Sequence, residues 1–187
     1  MRARGEAHVV RLSRTAGTMA LALALVMVAV YAPSTAAASG PAIEADLGGR
    51  PIPAVEVGRY HCEDFDFPRI HCYTSAVELD RAVALRLATP APSGPGAPVT
   101  TLATSYVLVF ADRYFVGASI YLSVPYDDLS VIGWNDRISS FQGQSGNGGT
   151  FFEHIYEGGF AYGFSAGQWV NYVGDAYNDK FSSVKPK

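Results

Sequence analysis

The sequence predicts an all-β fold: two antiparallel units forming a sandwich or barrel over residues 104–187, preceded by an export signal and a short cysteine-bearing segment. Three observations carry this reading. Short runs rich in Val, Ile, Phe and Tyr alternate with Gly, Asn and Asp clusters, without a strong 3.6-residue apolar pattern, as in an antiparallel sandwich or barrel. The hexad Asn135-Asp136-Arg137-Ile138-Ser139-Ser140 recurs 43 residues on as Asn178-Asp179-Lys180-Phe181-Ser182-Ser183. Upstream of each hexad lies an aromatic hairpin ending in glycine, Phe110 through Phe115 to Gly117 and Phe152 through Gly158-Gly159. A duplicated supersecondary unit of about 40 residues accounts for the repeat.

In chain order, residues 1–38 read as a cleaved secretory signal. Arg2, Arg4, Arg11 and Arg14 form a basic leader, Met19 to Ala32 is uninterruptedly apolar, and Ala36-Ala37-Ala38 supplies a small-residue cleavage site. The apolar run falls short of the roughly 20 residues a spanning helix needs, which disfavours an uncleaved anchor. The arginines are never adjacent, so nothing supports a twin-arginine route. Cleavage after Ala38 removes four of the 14 Lys and Arg and one of the 17 Asp and Glu, leaving 10 basic and 16 acidic residues and a formal charge of −6. An acidic chain without a basic run is ill suited to nucleic acid or an anionic membrane and well suited to a hard cation.

Residues 39–103 form an N-terminal extension. Residues 39–59 are rich in Gly, Ala and Pro, Val77 to Leu87 is helix-like, and 89–98 is a Pro/Gly linker by composition. In an exported chain Cys62 and Cys72 are expected to form one disulfide. The alternative, a zinc set with His61 and His71, needs four ligands converging on one point, whereas neighbouring side chains in extended backbone diverge. Strand candidates follow at Val107–Phe110, Ser119–Leu122, Ser139–Gln142, Thr150–Ile155 and Phe160–Phe164.

The repeated unit resembles the Greek-key motif of the microbial βγ-crystallin family. That motif carries an aromatic-xxxx-aromatic-x-Gly corner and closes on a turn written N/D-N/D-x-x-S/T-S. Both hexads fit the turn in full, and Phe110, Phe115 and Gly117 fit the corner. The second corner departs. Read from Phe152, its second aromatic position is Glu157; read from Phe151, Tyr156 and Gly158 fit but the register shifts by one. The resemblance covers roughly residues 104–187. Cys62 to Phe67 also aligns without gaps onto Phe110 to Phe115, with Cys72 on Ile120, so a degenerate third half-motif stands beside chance alignment.

The resemblance implies two calcium sites, each shared between motifs. One would use the Arg137 carbonyl, Ser139 hydroxyl, Asp179 carboxylate and Glu153 carbonyl; the other the Lys180 carbonyl, Ser182 hydroxyl, Asp136 carboxylate and Ala111 carbonyl. All are hard oxygen donors, which calcium takes six to eight at a time. Asn135 and Asn178 are expected to brace the turn through their own backbone, and Ser140 and Ser183 to tie it to the neighbouring hairpin. One carboxylate per site implies micromolar or weaker affinity.

The expected function is therefore a secreted, non-enzymatic calcium-binding module, with no nucleic-acid partner and no membrane after signal cleavage. The alternative is a secreted crystallin-fold protease inhibitor or antimicrobial toxin-like protein, binding an extracellular partner through the Gln144–Gly149 loop or residues 60–88. The absence of cysteine from residues 104–187 favours calcium over that alternative. Gly163-Phe164-Ser165-Ala166-Gly167 matches a nucleophile elbow, but no histidine follows Ser165 and the context is β-rich. Asp127-Asp128 reads as a solvated loop pair, and Trp134 and Trp169 as core or rim aromatics.

Overall fold

A computed structural model of the chain describes residues 42–88, 105–144 and 148–187. The predicted export signal and linker 89–98 lie outside the described residues. The chain runs β1 (Glu44–Leu47), β2 (Arg50–Ile52), β3 (His61–Asp66), β4 (Arg69–Tyr73) and α1 (Ala76–Ala88), then β5 (Val107–Phe110), β6 (Ser119–Leu122), β7 (Ser140–Gly143), β8 (Gly149–Phe152), β9 (Ala161–Phe164), β10 (Trp169–Val170) and β11 (Ser183–Pro186).

Two hairpins that exchange strands organise the repeats. β5 pairs antiparallel with β6 and β7, and β8 with β9 and β11. β10, from the second repeat, joins β7 of the first. Reciprocally, Tyr126 of the first repeat bridges Val184 in β11 of the second. This is the Greek-key sandwich of two motifs that the resemblance implies. The two sheets enclose a core in which Phe151 meets Phe141, Phe164 and Phe181 at ring separations of 5.3, 4.8 and 5.0 Å. Val107, Val109, Ile120 and Trp134 are wholly buried in the same cluster.

The extension is continuous with the first sheet. The strand order is β10-β7-β5-β6-β3-β4-β1-β2, eight strands, against three in β11-β8-β9. β3 runs parallel to β6, placing Cys62 opposite Ile120, and residues 40–187 form one compact unit. Cys62 and Cys72 face each other across β3 and β4 and form a buried disulfide. The thiolates a zinc set requires are therefore consumed. The β3–β4 turn does not reproduce a crystallin corner: among the described residues, positive-φ pairs mark both corners and none lies between Cys62 and Cys72. Its pairing also differs, since Phe110 opposes Ser119 rather than Ile120.

Helix α1 begins with a capping box. Ser75 Oγ accepts the Glu78 amide at 3.3 Å, and the Glu78 carboxylate accepts the Thr74 amide at 3.1 Å. The helix lays Leu79 and Val83 against Phe65, Leu108, Phe110 and Tyr121 on the outer face of the eight-stranded sheet. This explains why β5 reads Val-Leu-Val-Phe without polar alternation: both of its faces are covered. Among the described residues no helix is long and apolar enough to cross a membrane.

Candidate metal centre

Each hexad turns on its second residue. Asp136 and Asp179 hold φ of 54° and 55°, left-handed values that Asp and Asn tolerate better than most side chains. The requirement for Asp or Asn at this position is thus conformational before it is chemical. The turns are also crossed: the Asp136 amide donates to the Phe181 carbonyl at 3.0 Å, and the Asp179 amide to the Ile138 carbonyl at 3.4 Å. Each aspartate is consequently carried to the other motif's serine. The Ser139 hydroxyl lies 3.3 Å from Asp179 Oδ1, and the Ser182 hydroxyl 3.3 Å from Asp136 Oδ1.

The hairpin carbonyl belongs to the same motif as the serine. Ser139 Oγ donates to the Ala111 carbonyl at 2.8 Å, which places Ala111 with Ser139 and Asp179 rather than with Ser182 and Asp136. Repeat equivalence gives Glu153 the corresponding place beside Ser182. The Ser139 amide bonds the Phe110 carbonyl at 3.0 Å just as the Ser182 amide bonds that of Phe152 at 2.9 Å. Ala111 thus lies beside Ser139 rather than Ser182, the opposite of the expected assignment, because spacing alone does not say which hairpin a turn packs on.

The asparagines also act differently from expectation. Asn135 Nδ2 donates to Asp136 Oδ2 at 2.7 Å, and Asn178 Nδ2 to Asp179 Oδ2 at 2.6 Å. Each amide therefore holds one carboxylate oxygen and leaves the other facing the partner serine. The neighbouring cations are drawn aside. The Arg137 guanidinium donates to the Gly133 carbonyl at 3.2 Å and lies over the Trp134 ring, and Lys180 Nζ donates to the Ala176 carbonyl at 2.9 Å.

The final serines lock each turn to its own corner. Ser140 Oγ donates to the Asp112 carbonyl at 2.6 Å and accepts the Phe115 amide at 3.1 Å. Ser183 Oγ donates to the His154 carbonyl at 2.7 Å and accepts the Glu157 amide at 3.2 Å. These equivalent bonds settle the second corner: Tyr156, Glu157 and Gly159 carry the same positive φ as Tyr114, Phe115 and Gly117, so the register runs from Phe152 and Glu157 takes the aromatic position. Phe115 meets Phe110 and Trp169 edge to face, whereas Glu157 pairs with Lys185 at 2.6 Å.

A second cluster was not read from the sequence. Glu63, Asp66 and His71 bring ligand atoms within 4.8 Å of one another. Arg86 already occupies their charge, reaching Glu63 at 3.4 Å and pairing with Asp66 through both nitrogens. His71 Nδ1 is engaged by Asp46 at 2.7 Å. Burial pushes the Glu63 carboxyl up, while the Arg86 hydrogen bond holds that of Asp66 down. We read this as an ion-pair network between α1 and the sheet. The remaining sequence candidates fall outside any site. Asp128 accepts the Ser130 amide at 2.8 Å at the start of the 129–132 turn, and Ser165 opens the tight turn between β9 and β10, with no helix behind it.

No protein-family model and no curated protein matches the chain. Among solved structures, the chain is similar to a βγ-crystallin from Ciona intestinalis, 29% identical over 44% of this chain and 99% of that one, with a TM-score of 0.40. It is similar to an archaeal βγ-crystallin, at 23% identity over 45% and 99% and a TM-score of 0.41. A βγ-crystallin domain from Clostridium beijerinckii gives 28%, 43% and 95%, with 0.39. The chain resembles βγ-crystallin domains; its fold is read from the strand exchange and the serine-locked corners above.

Proposed function

We propose that this chain is a secreted, non-enzymatic protein that binds two calcium ions where its motifs cross, stabilising an extracellular module. The observation that supports the reading is the reciprocal approach of each hexad's aspartate to the other hexad's serine, at 3.3 Å in both. The donor set fits a hard cation. Around Ser139, a carboxylate oxygen, a carbonyl and a hydroxyl converge with one hydroxyl proton among them, an arrangement that a divalent ion relieves. One site would comprise Ser139 Oγ, the Asp179 carboxylate and the Ala111 and Arg137 carbonyls. The other would comprise Ser182 Oγ, the Asp136 carboxylate and the Glu153 and Lys180 carbonyls, with water completing each shell.

In this reading the ion supplies charge that cross-links the motifs. A ligand bound only by the folded chain stabilises it by about 2.7 kcal/mol at a hundredfold excess over Kd. Calorimetric titration of chelator-stripped protein is expected to show two ions per chain, with micromolar or weaker affinity. Asp136→Gly with Asp179→Gly should abolish this binding. Glycine is the appropriate replacement because it keeps the left-handed turn, which alanine would strain. No binding heat and no rise in Tm at millimolar calcium would leave the hexads as structural turns and move the inhibitor reading forward.

A further inference from the structure

Among the described residues, most basic side chains ahead of the terminal lysine are committed. Arg59, Arg69, Arg86 and Arg113 pair with carboxylates, and so does Lys185; Arg137 and Lys180 cap carbonyls. Among the described arginines, Arg50 and Arg81 have neither a carboxylate nor a hydrogen-bond partner. Both line one groove of about 580 Å³ between the β1–β2 hairpin, the end of β4 and helix α1. Its remaining wall is largely apolar, made by Leu47, Tyr73, Ala82 and Leu85. The one carboxylate there, Glu78, is held at the helix start by the Thr74 amide and hydroxyl at 3.1 and 2.8 Å. That hydroxyl bond keeps its carboxyl below the usual range and hence ionised. Two guanidiniums against one carboxylate leave the groove net positive on a chain whose overall formal charge is negative.

We propose that this groove binds a single-chain anionic amphiphile, its carboxylate, sulfate or phosphate head on Arg50 and Arg81 and its hydrocarbon tail along Leu47, Tyr73, Ala82 and Leu85. The volume suits a small organic ligand. Guanidinium forks bind planar or tetrahedral oxyanions through paired, charge-assisted hydrogen bonds, and the apolar wall gains by covering a chain that water would otherwise hydrate. The mouth is open: at Gly48, which lines the groove with positive φ in the two-residue β1–β2 turn, an added Cβ would meet nothing within 4 Å. The groove shares no residue with the hexads.

The test is a titration of the full chain with dodecyl phosphate, below its micellar concentration and in calcium-free buffer, followed by calorimetry. Saturable binding of one molecule per chain is expected. Arg50→Gln with Arg81→Gln should weaken it at least tenfold without changing Tm, since both arginines are exposed and unpaired. Leu85→Glu, on the exposed apolar wall, should weaken it as well. Dodecanol and inorganic phosphate, each carrying half of the chemistry, should both bind at least tenfold more weakly. Equal affinity in the double variant overturns the proposal. So does inorganic phosphate binding as tightly as dodecyl phosphate, which would make the groove a bare anion site. Binding to phosphatidylglycerol vesicles without binding of the monomer would overturn it too, by making the surface a membrane contact.

Discussion

β6 and β9 are equivalent strands of the two repeats, yet β6 is flanked by β3 while β9 ends its sheet. β5 and β6 are buried at every residue; their counterparts β8 and β9 alternate. The two repeats share topology, turn chemistry and corner geometry, so the difference comes from what is packed around them. On the first sheet, α1 roofs the outer face and the disulfide hairpin closes the edge. The corners teach the same lesson on a smaller scale. Phe115 and Glu157 adopt the same left-handed backbone because a serine hydroxyl captures the amide of each. An aromatic side chain is present only where Trp169 and Phe110 await it.

The largest effect that would sharpen this contrast concerns Asp64, which lies in the covered half. It is completely buried, accepts the Ser123 amide at 2.8 Å, and has a second oxygen without a hydrogen-bond partner. Burial pushes its carboxyl up to about 7 from an ordinary 3.8. The folded value exceeds the unfolded one, so its contribution is complete below pH 4 and is lost as pH rises through 7. The integrated loss is on the order of 4 kcal/mol. Urea unfolding from pH 4 to 8 should show Asp64→Asn overtaking the native chain with rising pH; parallel pH profiles for the two would refute the assignment.

Removing the roof comes next. Leu79→Ala should cost about 3 kcal/mol through the cavity it leaves beneath α1. A loss below 1 kcal/mol would mean that the covering helix contributes little and that the halves differ less than their burial implies. The serine locks offer a test of equivalence. Ser140→Ala and Ser183→Ala each strand a corner amide and a carbonyl, and each should cost about 2 kcal/mol. Thermal melts in which one variant loses far more than the other would break the equivalence of the corners. The smallest expected effect is Glu157→Phe, which exchanges an exposed ion pair for an exposed ring and should change stability by less than about 0.5 kcal/mol. A clear stabilisation would show an aromatic pocket at the second corner that the geometry lacks.

The repeat, the hairpins and the hexads were legible in the sequence because each depends on local backbone chemistry. β5 and β6 coincide with their predicted ranges, and α1 extends its own by one residue at each end. β10 was missed, being only two residues whose strand character comes from pairing with β7. The approach of Asp136 to Ser182 and of Asp179 to Ser139 follows the shared-site pattern that the resemblance implied. The partner of the Ala111 carbonyl did not, because register across a fold is not encoded in spacing.

By itself, the sequence determined the duplicated Greek-key unit, and that each turn has a residue able to take a left-handed conformation and oxygens able to take a cation. Only the tertiary structure decided that residues 42–88 extend the first sheet and roof it. It also decided which hairpin carbonyl faces the Ser139 hydroxyl, and that Arg50 and Arg81 line one groove. Turns and strands arise from the covalent neighbours of each residue. Sheet edges, crossed contacts and grooves arise from segments far apart in the chain, whose meeting is set by the burial of the whole.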